Sequence, residues 1–141
     1  MNELLQTQEK SVVKIKIIEV MKRASFHKYE AKMIMKLDLS NLDHPTNVVR
    51  VIDYLVGIVK KMPKQSVVGL VDFRGLLVSD EIKQELIRLA EITYPYFRAS
   101  ALLACDAQSR ELAATISSRA GETKLPIYED EEAAKKWLFA Q

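Results

Sequence analysis

Glycine and proline are scarce in this chain, four of each in 141 residues. That excludes collagen-like, proline-rich and linker-like sequence. The glycines form neither a Gly-x-Gly-x-x-Gly run nor a P-loop, so the usual phosphate cradles are missing. The single cysteine, Cys105, has no partner for an internal disulfide and fits a reducing compartment. There are two histidines, His27 and His44, and both are expected in well-separated loops. A histidine-based metal site or triad therefore has little material, and no metal or cofactor is expected. No apolar run approaches the roughly 20 residues that cross a bilayer, so no membrane span is expected. Residues 1–10 (MNELLQTQEK) are polar with two acids and lack the basic and apolar regions of a secretory signal. A cytoplasmic location follows as the expectation.

What remains is the composition of an ordinary globular domain, 48% hydrophobic and 28% charged. The length suits one domain with a real core. Residues 1–11 are read as a polar N-terminal segment and 12–141 as the domain. The net charge of +2 is unevenly spread: residues 1–64 hold twelve Lys and Arg against seven acids, the rest nine against twelve. The lysines of the first half alternate with apolar residues, as in Lys14-Ile15-Lys16-Ile17 and Lys32-Met33-Ile34-Met35-Lys36. Alternation of this kind reads as the wet face of a half-exposed sheet. With no run of five basic residues and no aromatic RNA-binding signature, nucleic acid is not expected as a partner.

Periodicity divides the chain into strands and helices. Residues 12–21 (VVKIKIIEVM) carry Val13, Ile15 and Ile17 at spacing two and predict a strand, although Ile18 and Val20 break the pattern and leave a helix open. Residues 24–29 (ASFHKY) read as a connection to an antiparallel second strand over 32–39. His44 or Asp43 caps the next helix, with Pro45 in first position and Val48, Ile52, Leu55, Val59 and Met62 as its stripe up to Pro63.

The most informative stretch is 67–81. Val67-Val68-Gly69-Leu70-Val71-Asp72-Phe73 is apolar at nearly every position, as a central parallel strand covered on both faces must be. Arg74 and Gly75 turn the chain, and Ser79 caps a helix with Asp80 and Glu81 in its first turn. Ile82, Leu86, Leu89, Ala90 and Thr93 are its buried side. A strand over 99–105 follows, then a helix opened by Asp106 or Ser109, with Leu112, Ala113 and Ile116 inward and Gly121 as its stop. Residues 125–128 form a last strand, placed at an edge by Pro126. A final helix docks Ala133, Ala134, Trp137 and Leu138 onto the sheet. The order β-β-α-β-α-β-α-β-α predicts an α/β fold with a mostly parallel sheet and an antiparallel N-terminal hairpin.

Four segments in this order and spacing resemble the SpoIIAA-like, or STAS-like, domains: Leu37-Asp38-Leu39-Ser40-Asn41-Leu42, Val71-Asp72-Phe73-Arg74-Gly75, Tyr96-Phe97-Arg98-Ala99-Ser100-Ala101, and the stretch from Ile127 to Leu138 (IYEDEEAAKKWL). They are spread over residues 37–138, somewhat more than two-thirds of the chain. The resemblance implies a single-domain STAS-like fold and a non-enzymatic role in protein–protein regulation. In anti-sigma-factor antagonists of that family, a hydroxyl residue following an Asp at the start of the helix after the central strand is phosphorylated. Laid on this chain, the motif puts Asp80 at that Asp and Glu81 and Ile82 at the hydroxyl positions, so the acceptor is missing. Ser79 lies one residue too early and reads first as an N-cap, because a phosphate there meets two carboxylates.

Candidate site residues gather at the carboxyl ends of the strands, where α/β sheets present ligands and partners: Ser40, Asn41, Asp72, Arg74, Gly75, Ser79, Asp80, Cys105 and Asp106. Asp38 and Asp72 end neighbouring strands and are weighed as an acid–base pair, but loop-capping carboxylates are the favoured reading. Cys105 beside a helix start is a place where a thiol is acidified, yet it reads first as a small core residue. Trp137, Tyr94 and Phe97 are core or lid aromatics. A protein partner is expected, and a homodimer through residues 13–18 and the 92–97 corner is a further possibility. The rival class is a carrier with an apolar pocket beneath the helix that Ser79 caps, holding a lipid or nucleotide, an analogy of fold alone.

Overall fold

The apolar run that begins at Val67 is the middle strand of a five-stranded sheet in a computed structural model that describes residues 13–120 and 125–141. In chain order the described elements are α1 (Ile17–Arg23), β1 (Ala24–Tyr29), β2 (Lys32–Asp38), α2 (Pro45–Val59), β3 (Val67–Asp72) and α3 (Asp80–Thr93). A 3-10 turn (Tyr94–Tyr96) leads into β4 (Phe97–Leu103), α4 (Ala107–Ala120), β5 (Ile127–Tyr128) and α5 (Glu131–Phe139). The strands lie side by side in sequence order, β1 antiparallel to β2 and the others parallel. The predicted α/β class and its antiparallel first hairpin are both present.

Sequential parallel strands joined by right-handed crossovers place their connecting helices on one face. There α2 packs on α3 and α3 on α4, over a core that includes Met35, Leu37, Leu55, Phe73, Ile82 and Leu86. The other face belongs to α5. Its Ala134 and Leu138 cover Ile34, Val68, Leu70, Ala101 and Leu103. Leu138 is wholly buried, a contribution of about 1.5–3 kcal/mol. Trp137 is half-buried against the same cluster, but Ala133, predicted to dock, faces solvent. The reason is helical spacing: 134 and 138 share a face that 133 leaves by about 100°.

The chain's beginning departs from the sequence reading. Residues 13–16 have no regular structure, and the segment expected as a strand turns into α1. Two long-range anchors select the helix. Asn47 clamps the approach, its Oδ1 accepting from the Ile15 N–H and its Nδ2 donating to the Val13 carbonyl. Arg23 at the helix end then donates to the carbonyls of Asp38 and Ser40, at 3.2 and 2.9 Å. The strand that pairs with β2 is 24–29, read from sequence as a connection. It carries little apolar signal because it is an edge strand with only Ala24 fully buried. His27, expected in a loop, therefore sits on this strand. A two-residue turn closes the hairpin, with Glu30 at φ 54°.

Elsewhere the local signals hold. His44 caps α2, its Nδ1 accepting from the Thr46 N–H at 3.1 Å, and Pro45 occupies the first position. The helix ends at Val59, four residues ahead of Pro63, and Met62 packs from the turn beyond. Ser79 and Asp130 cap α3 and α5. The fourth strand starts two residues earlier than predicted and ends at Leu103. The last strand shrinks to Ile127 and Tyr128, at the edge as Pro126 required, with the Pro126 carbonyl accepting from Leu102. The predicted stop at Gly121 lies outside the described residues.

Candidate functional site

Beyond the ends of the parallel strands, the backbone keeps pairing into the loops. Leu39 N–H donates to the Asp72 carbonyl, Asn41 to Arg74, Leu77 to Leu42 and Phe73 to Leu103. The β2 and β3 loops are thereby bound to each other as one knuckle. Asp38 and Asp72 stand side by side in register at its base. Each carboxylate is engaged locally. Asp38 Oδ1 accepts from the N–H and the hydroxyl of Ser40, at 2.9 and 2.5 Å, and lies 3.6 Å from Arg23 Nη1. Asp72 is 2% exposed and takes both arms of Arg74, Nε on Oδ1 at 3.0 Å and Nη2 on Oδ2 at 2.8 Å, with the Arg74 N–H on Oδ1 as well. This bidentate, charge-assisted geometry fixes the turn and raises the Arg74 pKa, chiefly through the hydrogen bonds that Arg74 donates to Asp72. Two aspartates that each hold an arginine and a turn are loop-capping groups, the reading favoured from sequence.

Arg74 also reaches Glu131 at the start of α5, at 3.4 Å. Glu131 is the hub on this side of the sheet: Lys36 Nζ lies 2.7 Å from its Oε1 and Lys135 Nζ 2.9 Å from its Oε2. Burial pushes the Glu131 carboxyl up, but the hydrogen bonds and charges of Lys36 and Lys135 outweigh it and hold the pKa at about 2. His27 lies beside this group with its Nε2 3.1 Å from Ser25 Oγ. Burial, and then the charges of Lys135 and Lys36, lower its pKa, against an opposing pull from Glu131 and Asp38.

A recess lies between the N-terminus of α3 and the flank of α4. It has a volume of about 170 Å³ and is lined by Ser79, Asp80, Lys83, Gln108, Glu111 and Thr115, among others. Ser79 Oγ accepts from the Ile82 N–H at 3.2 Å, so the hydroxyl is in use as the cap. Asp106 does the same work for α4, accepting from the Ser109 N–H at 2.7 Å and from its hydroxyl, which together lower the Asp106 pKa. Cys105 is exposed, contrary to the core reading, because β4 ends two residues before it and leaves it in the loop.

The predicted site residues thus fall into three groups. Ser40, Asn41, Asp72, Arg74 and Gly75 form the knuckle; Ser79 and Asp80 line the recess. Cys105 and Asp106 belong to the separate β4–α4 loop. Sequence reasoning missed Glu131, Lys36, Lys135 and Arg23. The Glu131–Lys135 and Glu19–Arg23 pairs, each spaced i, i+4 on one helix, left a local signal. Among the described residues no group of three or more His, Cys, Asp or Glu is placed to hold a metal ion, and no helix is long and apolar enough to cross a membrane.

Compared with family models, with curated proteins and with solved structures, the chain matches none.

Proposed function

We propose that this chain is a non-catalytic regulatory domain of the STAS-like kind, working through protein contact at the knuckle. The observation that carries the reading is Leu77, 58% exposed on a loop that its own N–H pins to the Leu42 carbonyl. An apolar side chain on a pinned backbone, beside exposed Asn41 and Gly75, is a ready contact for a partner surface, since less backbone entropy is left to lose on binding. Ser79 and Asp80 border the neighbouring recess, which suits a polar group of the same partner. Its cap role, and the carboxylates of Asp80 and Glu81 after it, make Ser79 a poor phosphate acceptor.

The carrier alternative draws on a cavity beneath α3, lined by Met35, Phe73, Leu86, Thr93, Phe97 and Ser100 among others. Its volume is about 60 Å³, against roughly 300–1,000 Å³ for typical ligand pockets. That favours the contact reading over storage of a lipid or nucleotide. A photo-crosslinking residue at position 77, installed in the host cell, is expected to capture one protein that the same residue at position 132 does not. Native mass spectrometry showing a co-purifying small molecule, with no position-specific adduct, would reverse the choice.

A further inference from the structure

Helix α1 is mounted with Arg23 turned inward and most of its apolar side chains outward. At about 100° per residue, Ile17, Ile18 and Met21 share an arc of about 100°, and they are 61%, 60% and 49% exposed. Val13, just before the helix, is 81% exposed. The inward side holds buried Val20 and the largely covered Arg23, which pairs with half-exposed Glu19 at 3.0 Å. Arg23 is bound further to the Asp38 and Ser40 carbonyls, so the helix cannot roll over to hide its apolar side without breaking these bonds. Most helices on a folded domain do the reverse.

The border of this patch is basic. Lys14, Lys16 and Lys22 are exposed around it, and the one acid on the helix, Glu19, is occupied by Arg23. Charge of one sign decides among occupants. If the patch met its own copy across a twofold axis, these lysines would face the same lysines of the partner, which argues against that self-pairing. The occupant must offer both an apolar medium and negative charge. The apolar side chains protrude from a short helix and do not line a groove. Insertion into a fluid interface requires no matching pocket, whereas a protein partner would have to supply one.

We infer that α1 and the segment before it form a docking surface for an anionic lipid bilayer, with Val13, Ile17, Ile18 and Met21 entering the headgroup boundary and Lys14, Lys16 and Lys22 on lipid phosphates. This surface is distinct from the knuckle, and the two readings stand or fall separately.

The test is co-sedimentation of the full chain with vesicles of phosphatidylcholine, with and without phosphatidylglycerol. The chain is expected to pellet with the anionic vesicles at about 0.1 M salt and to be released as added salt shortens the screening length. Lys14→Glu/Lys16→Glu/Lys22→Glu is expected to weaken binding about a hundredfold or more, at about fivefold per lysine lost near an anionic surface. Ile17→Glu/Ile18→Glu is expected to abolish it while leaving thermal unfolding unchanged, because neither side chain is buried. Tyr94→Glu, an exposed aromatic on a different element, is expected to bind as the parent does. Failure of the parent to pellet with anionic vesicles overturns the inference, as does full binding by Ile17→Glu/Ile18→Glu. A concentration-dependent dimer that Ile17→Glu/Ile18→Glu dissolves would overturn it too, and assign the patch to a second copy.

Discussion

Asn41 and Gly75 interlock. Gly75 lies at φ +71°, and a Cβ on it would stand 2.1 Å from Asn41 Oδ1, while the Asn41 N–H donates to the neighbouring Arg74 carbonyl. Asn41 itself is left-handed, at φ 60°, a conformation asparagine tolerates better than most residues. The two loops are held together where one side chain fills the space another lacks. Gly75→Ala should therefore cost more than its backbone strain of about 1 kcal/mol. We expect about 2–3 kcal/mol in urea unfolding, with part recovered in the Asn41→Ala/Gly75→Ala double variant. Strictly additive effects would show that the two residues do not touch.

Arg74 neutralises a carboxylate that is almost wholly buried. Arg74→Met is expected to destabilise the fold by about 2–3 kcal/mol, because Asp72 is left without its charged partner. Asp72→Asn in the same chain should restore much of that loss. The measurement is the midpoint of chemical denaturation for the two single variants and the double.

Glu131 sets a pH window. Its folded pKa, about 2, lies below the ordinary 4.5, so its contribution to stability is complete above pH 4.5 and disappears as pH falls towards 2. Glu131→Gln should cost about 2 kcal/mol at neutral pH. The gap in melting temperature between parent and variant should then close on acidification across that window. A gap that stays constant down to pH 2 would place the stabilisation elsewhere.

Ser79 and Asp130 each accept one of the free N–H groups at a helix start, from Ile82 and from Ala133. Ser79→Ala and Asp130→Ala should each lower stability by about 1 kcal/mol. Ser79→Asp, which keeps an acceptor, should be nearly neutral. Thermal melts of the three variants decide this.

Legibility followed the range of the interactions. β3 was readable because a strand covered on both faces needs an apolar residue at almost every step, and 67–73 supplies one. The caps of α2 and α3 were readable because each is a contact within three residues. The start of the chain was not. Whether 17–23 coils or extends is settled by Asn47 and by Arg23 on the carbonyls of Asp38 and Ser40, none of which marks a local pattern. β1 was hidden for the opposite reason, since an edge strand with one buried residue resembles a polar link. Among the site residues, Asp72, Arg74 and Gly75 were found as one turn. Glu131 escaped because its partner Lys36 is 95 positions away.

That separation bears on the order in which a ribosome releases the chain. The layer of α2, α3 and α4 can assemble on the growing sheet as each unit emerges, but Ile34, Leu70 and Leu103 wait for Ala134 and Leu138. Until then a nascent chain shows the quality-control machinery an oily sheet face beside an unmatched Lys36. A stop codon just ahead of Glu131 would make that transient state permanent, and such a product is expected to be degraded or to aggregate even though nearly every strand contact it needs is encoded in it.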